Sequence, residues 1–247
     1  MDLDIVTLAD RPDLAPLLDG FEAAWPEFMS WDPMASLYYG VAHELYPEFI
    51  LLALDPAQPE RAVARAYSVP LAWKEEDALP DGGWDRVVQR ATLNRLAGTP
   101  TNIVSALEIC IQPDRRGGGL SARMLAEMRD NAGRLGYDTL IAPVRPNGKH
   151  IHPDLPMSEY VTQTRDDGLP VDPWLRVHVR AGGRIEGVAT RSMVIPGTLA
   201  EWRRWTGLPF DTTGPVHVPQ ALAPVHCDVT HDHAVYVEPN VWVRHRL

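Results

Sequence analysis

The residues best equipped for chemistry lie together between Ile111 and Ser121, which read Ile-Gln-Pro-Asp-Arg-Arg-Gly-Gly-Gly-Leu-Ser. Pro113 has no amide hydrogen for a ladder and so ends a strand. Gly117, Gly118 and Gly119 follow, and without Cβ atoms they let a ligand reach the main chain. The first turn of a helix behind them offers unpaired N–H groups and a partial positive charge. Arg115 and Arg116 add full charges and forked donors. That combination suits a pyrophosphate. An ordinary tight turn needs a glycine or two, and it has no use for a pair of arginines.

Two other phosphate-binding patterns fail on spacing. A P-loop requires Gly-Lys-[Ser/Thr], and no lysine stands here. The dinucleotide fingerprint is met formally by Gly117-x-Gly119-x-x-Ala122, but residues 112–116 separate the strand from the first glycine. Val144-Arg145 also stands where a ribose-binding acid is required. The histidine-rich pieces are weaker still. Cys227, His231 and His233 have donor atoms suited to zinc, as do His150 and His152, but no second cluster has paired spacing. Both read as solvated turns, and no metal is expected.

The loop depends on the elements around it. Residues 104–111 alternate, with Leu107, Ile109 and Ile111 set against Glu108, Cys110 and Gln112, and predict a strand. Residues 120–135 predict a helix, with Leu120, Met124, Leu125, Met128, Ala132 and Leu135 on one face. Gly136 closes it, and residues 139–144 form the next strand. Strand, helix and strand at this spacing make a right-handed parallel crossover. Upstream, a strand is expected at residues 4–8, a helix at 12–28, and a second helix opened by Asp32-Pro33 and stopped by Pro47. Strands are expected at 49–54 and 61–72, and a helix at 84–96. Downstream, residues 146–173 read as a long loop with a short helix at 158–165. A helix follows at 173–181 with Asp172 as its cap, then short strands at 184–189 and 191–195. Residues 196–247 combine one short helix with irregular and extended pieces.

The order hydrophobic-x-Pro-x-x-Arg-Gly-x-Gly-Leu before an amphipathic helix resembles motif A of the GCN5-related N-acetyltransferase (GNAT) superfamily. Ile111, Pro113, Arg116, Gly117, Gly119 and Leu120 match it, and Ser121 replaces the usual Gly or Ala. The segment 174–183 resembles that family's last core helix, with His178 where a tyrosine is usual and Gly182 at the glycine position. Asn147 matches an asparagine that faces the coenzyme. The resemblance implies an α/β fold (mixed α+β) whose central sheet is mostly antiparallel, with a parallel, splayed strand pair and helices on its flanks. It implies a core at residues 1–195 carrying an insertion near 148–172, and a C-terminal extension, 196–247, packed on that core. It also implies that Arg115, Arg116, Gly117, Gly118, Gly119, Leu120 and Ser121 hold the coenzyme A pyrophosphate. Ile109 and Ile111 would offer main-chain groups to the pantetheine arm.

The reaction so implied is acyl transfer, acetyl by default, from acetyl-CoA to a small-molecule amine. A protonated amine needs a base before it attacks. Glu108 is the candidate, and a salt-bridged carboxylate is the competing reading of it. His178, or less directly Tyr160 in the insertion, would protonate the leaving thiolate; packed side chains are the alternative. A non-catalytic acyl-CoA sensor and a thioester decarboxylase or hydrolase on the same fold are the rival functions. Trp25, Trp31, Trp73 and Trp84 are expected to wall the acceptor side.

Composition sets the outer limits. With 247 residues, of which 45% are hydrophobic, the chain is long enough to bury a full core. A net charge of −10 leaves no basic footprint for nucleic acid or for an anionic membrane. It would suit a cationic acceptor. Two cysteines make no disulfide framework, and Met1-Asp-Leu-Asp-Ile-Val does not open a signal peptide. A cytoplasmic protein, and a possible homodimer, is the expectation.

Overall fold

The computed structural model describes residues 3–21, 25–74 and 77–247. Its strands are β1 (Asp4–Thr7), β2 (Ile50–Asp55), β3 (Gln58–Leu71), β4 (Ile103–Ile111), β5 (Thr139–Val144), β6 (Arg184–Gly197), β7 (Gly214–Val216), β8 (Val225–Asp228) and β9 (His233–Arg246). The α-helices are α1 (Ala42–Leu45), α2 (Gly83–Ala97), α3 (Leu120–Arg134), α4 (Met157–Tyr160), α5 (Pro173–Arg180) and α6 (Leu199–Thr206). All the strands join one sheet in the order β1-β2-β3-β4-β5-β9-β8-β7, with β6 also paired to β9. Every pairing is antiparallel except β4 with β5. The mixed, mostly antiparallel sheet is therefore present.

Helix α3 packs its apolar stripe, Met124, Leu125, Met128 and Ala132, fully out of water. Burying each of the three large side chains contributes about 2 kcal/mol. Gly98 ends α2 in the left-handed conformation, and Asp172 caps α5 by accepting from Trp174 N and Leu175 N. The Asp172 cap agrees with the sequence reading, and Gly98 closes α2 just beyond the expected end at residue 96.

Elsewhere the structure departs from it. The helix expected over 12–28 is a 3-10 helix at Pro12–Asp19 followed by another at Glu27–Trp31, while residues 22–24 lie outside the described residues. Pro16, inside the first segment, has no N–H to bond a preceding turn. The next helix starts at its expected cap, since Asp32 Oδ1 accepts from Met34 N and Ala35 N at 2.7 and 3.0 Å. It then widens into a π-turn at Ala35–Tyr39, and α1 is a separate short piece. Residues 158–165 hold only the end of α4, and the two short strands at 184–195 are one bulged strand, β6. Position 195 falls inside β6, and β9, from the last residues, lies against β5 on one edge and β6 on the other.

Candidate active site

Two local features of β4 build the site. Opposite β3, Tyr67 faces Glu108 and Ser68 faces Ala106, so Leu107 is an extra residue in a bulge. Trp84 Nε1 donates to the Leu107 carbonyl at 3.1 Å and pins the bulge to α2. Opposite β5, β4 is paired only at Val104–Leu140 and Ser105–Ile141. Beyond those positions the strands part, and the main chain of residues 106–111 has one edge without a neighbouring strand. Ile109 and Ile111 line a cleft of about 1150 Å³ at this opening.

The glycine loop forms one end of that cleft. Gly117 and Gly119 have φ of +82° and +78°, a conformation that disfavours side chains, and Gly119 caps α3. A Cβ on any of the three glycines would meet no protein atom within 4 Å. The space beside them is therefore open and not filled by the fold. The first hydrogen bonds to α3 run from Ala122 N and Arg123 N to the Gly119 carbonyl. The described structure gives no acceptor to the N–H groups from Gly117 to Ser121, so bare donors at a helix N-terminus point into open space. Arg116, Leu120, Ser121 and Asn147 also line the cleft. Arg115 lines the cleft as well, and its Nη2 pairs with Asp55 Oδ2 at 2.7 Å at the end of β2.

Glu108 is buried and heavily partnered. Arg65 Nε donates to Oε1 at 2.6 Å, while Arg65 Nη2 at 3.3 Å and Trp25 Nε1 at 2.9 Å donate to Oε2. The Arg65 guanidinium also lies over the rings of Phe21 and Tyr67, at 5.0 and 5.5 Å. The Cys110 thiol beside this pair is pushed up by burial and by the Glu108 charge, so it stays a thiol. The second carboxylate of the cleft, Glu238 on β9, is fully buried. It accepts from Arg145 Nε at 2.9 Å, Tyr236 Oη at 2.8 Å and Asn240 Nδ2 at 3.0 Å. Asp19 lines the mouth and is exposed.

His178 lines the cleft from α5, and its Nδ1 lies 3.0 Å from Nε2 of His245 on β9. Burial and the second imidazole lower the basicity of His178 to about 3, and burial lowers that of His245 to about 4. Both rings are therefore uncharged near neutrality, and no imidazolium stands ready to protonate a thiolate. Tyr160 does not line the cleft. Its hydroxyl donates to Asp172 Oδ2 at 3.0 Å, which Gly148 N also reaches at 2.7 Å, so it braces the 148–172 segment against the cap of α5. Trp25 and Trp84 do line the cleft. Trp73 does not, and Trp31 stacks on Trp205 at 5.5 Å, away from it. Among the described residues no three metal-ligating side chains come together, and Asp228 instead binds His231 Nδ1 at 2.8 Å.

Sequence reasoning passed over Arg65, Arg145, Glu238, Asn240 and His245. Arg65 lay in a loosely alternating run, and nothing local tied it to Glu108. Glu238 and Asn240 occupy every-other positions of an extended segment, and that alternation was the available signal; His245 falls out of that phase.

A parallel strand pair that parts around an open main-chain edge, above a glycine cradle, defines the site of a transferase that takes its acyl group from coenzyme A. Comparison with known proteins agrees. No family model matches the chain. The chain is 33% identical over 270 aligned residues to arginine N-acetyltransferase avaD of Aspergillus versicolor, across 98% of its own length and 93% of that protein. It superposes on the loading GNATL domain of CurA from Lyngbya majuscula with a TM-score of 0.61 at 18% identity, covering all of this chain and 98% of that one. The GNAT-like decarboxylase GphF, solved with isobutyryl-CoA, gives 0.57 at 18% identity over 100% and 99% of the two chains. The chain belongs to the GNAT superfamily, and it is an N-acyltransferase that uses an acyl-CoA.

Proposed function

We propose that this enzyme acetylates a primary amine of a small cationic acceptor of the arginine type. The observation that carries the reading is the full-length similarity to an arginine N-acetyltransferase, together with a cleft whose mouth bears the exposed carboxylate of Asp19. The aromatic walls Trp25, Tyr39 and Trp84 suit an aliphatic stem ending in a delocalised cation. Acetyl-CoA supplies an activated thioester carbonyl.

The chain supplies the rest. Main-chain donors from Gly117 to Ser121 hold the pyrophosphate, with Arg116 and Asn147 at the lip. The open edge of β4 at Ile109 and Ile111 aligns the pantetheine arm, and one of its N–H groups stabilises the oxyanion. Glu108, anchored by Arg65 and Trp25, has one acceptor site left on Oε1 and takes the surplus proton of the incoming ammonium. Tyr160 braces the 148–172 segment through Asp172, and Arg115 reaches the cleft with its guanidinium held by Asp55.

The test is coenzyme A release from acetyl-CoA with L-arginine, agmatine, L-ornithine and L-lysine, with products identified by mass spectrometry. Acetylated arginine-type products are expected. Thioester loss at equal rates with and without amine would overturn the reading and favour a hydrolase or decarboxylase.

A further inference from the structure

His178 and His245 are both buried, come from different elements, and meet through ring nitrogens at 3.0 Å, so one hydrogen lies between them. Which ring owns it is settled at the far side of His245. There Nδ1 is buried without a well-aligned hydrogen bond; the Arg129 guanidinium acts on the ring by its charge, whereas the Ala181 backbone at the end of α5 acts as a hydrogen-bond partner that favours a ring N–H, which only its carbonyl can do. A carbonyl only accepts, so a lone pair on that Nδ1 would face a lone pair, and a hydrogen there is favoured. His245 Nε2 is then bare, and the shared hydrogen belongs to His178 Nδ1. With Nδ1 turned to His245 and Trp174 edge-on at 4.6 Å, the Nε2 edge of His178 is left to face the cleft, carrying a lone pair.

We propose that His245 is a positioning residue that fixes His178 in its Nδ1–H tautomer, so that His178 Nε2 accepts a hydrogen from the attacking amine. This rests on the acyltransferase reading of the cleft. An uncharged amine, oriented by that hydrogen bond, turns its lone pair to the thioester carbonyl. As the C–N bond forms and the C–S bond breaks, the nitrogen gives up one proton and the coenzyme thiolate gains one, so nothing is left on the imidazole. The environment keeps the lone pair available. His245 faces the Arg129 guanidinium of α3, which opposes protonation of the pair, and desolvation acts in the same sense.

The test uses the full-length protein with 15N-labelled histidine. Two-bond 1H–15N spectra should assign His178 to the Nδ1–H tautomer, unchanged from pH 6 to 8. His245→Gln offers a carbonyl oxygen in place of Nε2 and should keep turnover within about threefold, whereas His245→Phe should lower kcat by about tenfold or more with little change in coenzyme affinity. An Nε2–H tautomer in the wild type would overturn the proposal while leaving the acyltransferase reading intact, and this holds even if His245→Phe does not fold. Equal kcat in His245→Gln and His245→Phe would also overturn it. Full turnover in His178→Ala would remove His178 from the reaction, and the proposal with it. Absence of any acetyl transfer by the wild type would instead remove the reading beneath both.

Discussion

At the scale of single residues, the pair Glu108–Arg65 separates two roles that a carboxylate can play. Both side chains are largely buried, at 5% and 14% exposed. Removing one partner of such a pair strands the other charge and costs about 3 kcal/mol or more. Glu108→Gln is therefore expected to lower stability by that amount and turnover by about a hundredfold. Adding Arg65→Met should return most of the stability, as urea melts will report, but not the turnover. If turnover returned with stability, Glu108 would serve only as the counter-ion of Arg65. The glycine loop makes a simpler case. A Cβ at Gly119 would meet no protein atom, but it would require φ near +78°. Gly119→Val should cost about 1–2 kcal/mol in backbone strain. It should also weaken coenzyme A binding at least about tenfold, measured by calorimetry. Undiminished affinity would refute the cradle.

At the scale of elements, the wall of the cleft is held by an acid pair. Asp32 caps the π-turn that carries Ala35, Ser36 and Tyr39 into the cleft, and Asp85 opens α2 and accepts from Val194 N of β6 at 3.0 Å. Asp32 Oδ2 and Asp85 Oδ1 are buried without a donor, and the two carboxyls face each other, so one proton between them supplies the missing hydrogen. Burial and the Asp32 charge raise Asp85 to about 8. A carboxyl whose folded value lies above its unfolded one favours the folded state fully at pH below about 4. That contribution, a few kcal/mol, is lost as pH rises toward 8. Denaturant midpoints should therefore fall between pH 6 and pH 9. Asp85→Asn carries a permanent N–H donor for Asp32 and keeps an oxygen for Val194 N, so it should flatten that fall. An equally steep decline in the variant would exclude the pair as its cause.

The elements that were legible in the sequence are those whose pattern matches one local rule. Helix α3 shows a clean apolar stripe, β5 is a short apolar run, and α5 carries its cap at Asp172. The glycine loop was legible for the same reason, because its chemistry lies in consecutive residues. What stayed hidden depends on partners distant in the chain. Glu108 could be seen but its ion pair with Arg65 could not, and the bulge at Leu107 exists only opposite β3. Strand β9 is the clearest example. It alternates buried and partly exposed positions from Ala234 to Asn240, yet two buried places hold Glu238 and Asn240, which read as surface residues until Arg145, Tyr236 and Ser192 are brought beside them. Local rules fail there because those polar groups serve the cleft and are satisfied by long-range partners.

At the scale of the whole molecule, β9 joins the parts that the chain order keeps separate. It pairs with β5 along Thr139–Val144, with β6 from Arg184 to Gly197, and with β8 at its start. Trp202 of α6, fully buried, donates to the Ala234 carbonyl at 2.9 Å, and Lys149 of the 148–172 segment, also buried, donates to the Leu222 carbonyl at 2.6 Å. Without β9 the sheet loses the strand between β5 and β6, and buried carbonyls and amides on both edges lose their partners. The same strand carries Glu238 and Asn240 to the cleft and sets His245 against His178, so the cleft and the fold share it. A chain ending at residue 232 is expected to be insoluble or to lack a cooperative thermal transition. Supplying residues 233–247 as a synthetic peptide during refolding should restore both the transition and coenzyme A binding, because the missing contacts are strand pairings that a separate chain can make. A truncated protein that melts cooperatively and binds coenzyme A unaided would mean that residues 1–232 form the fold by themselves and that β9 is an addition to it.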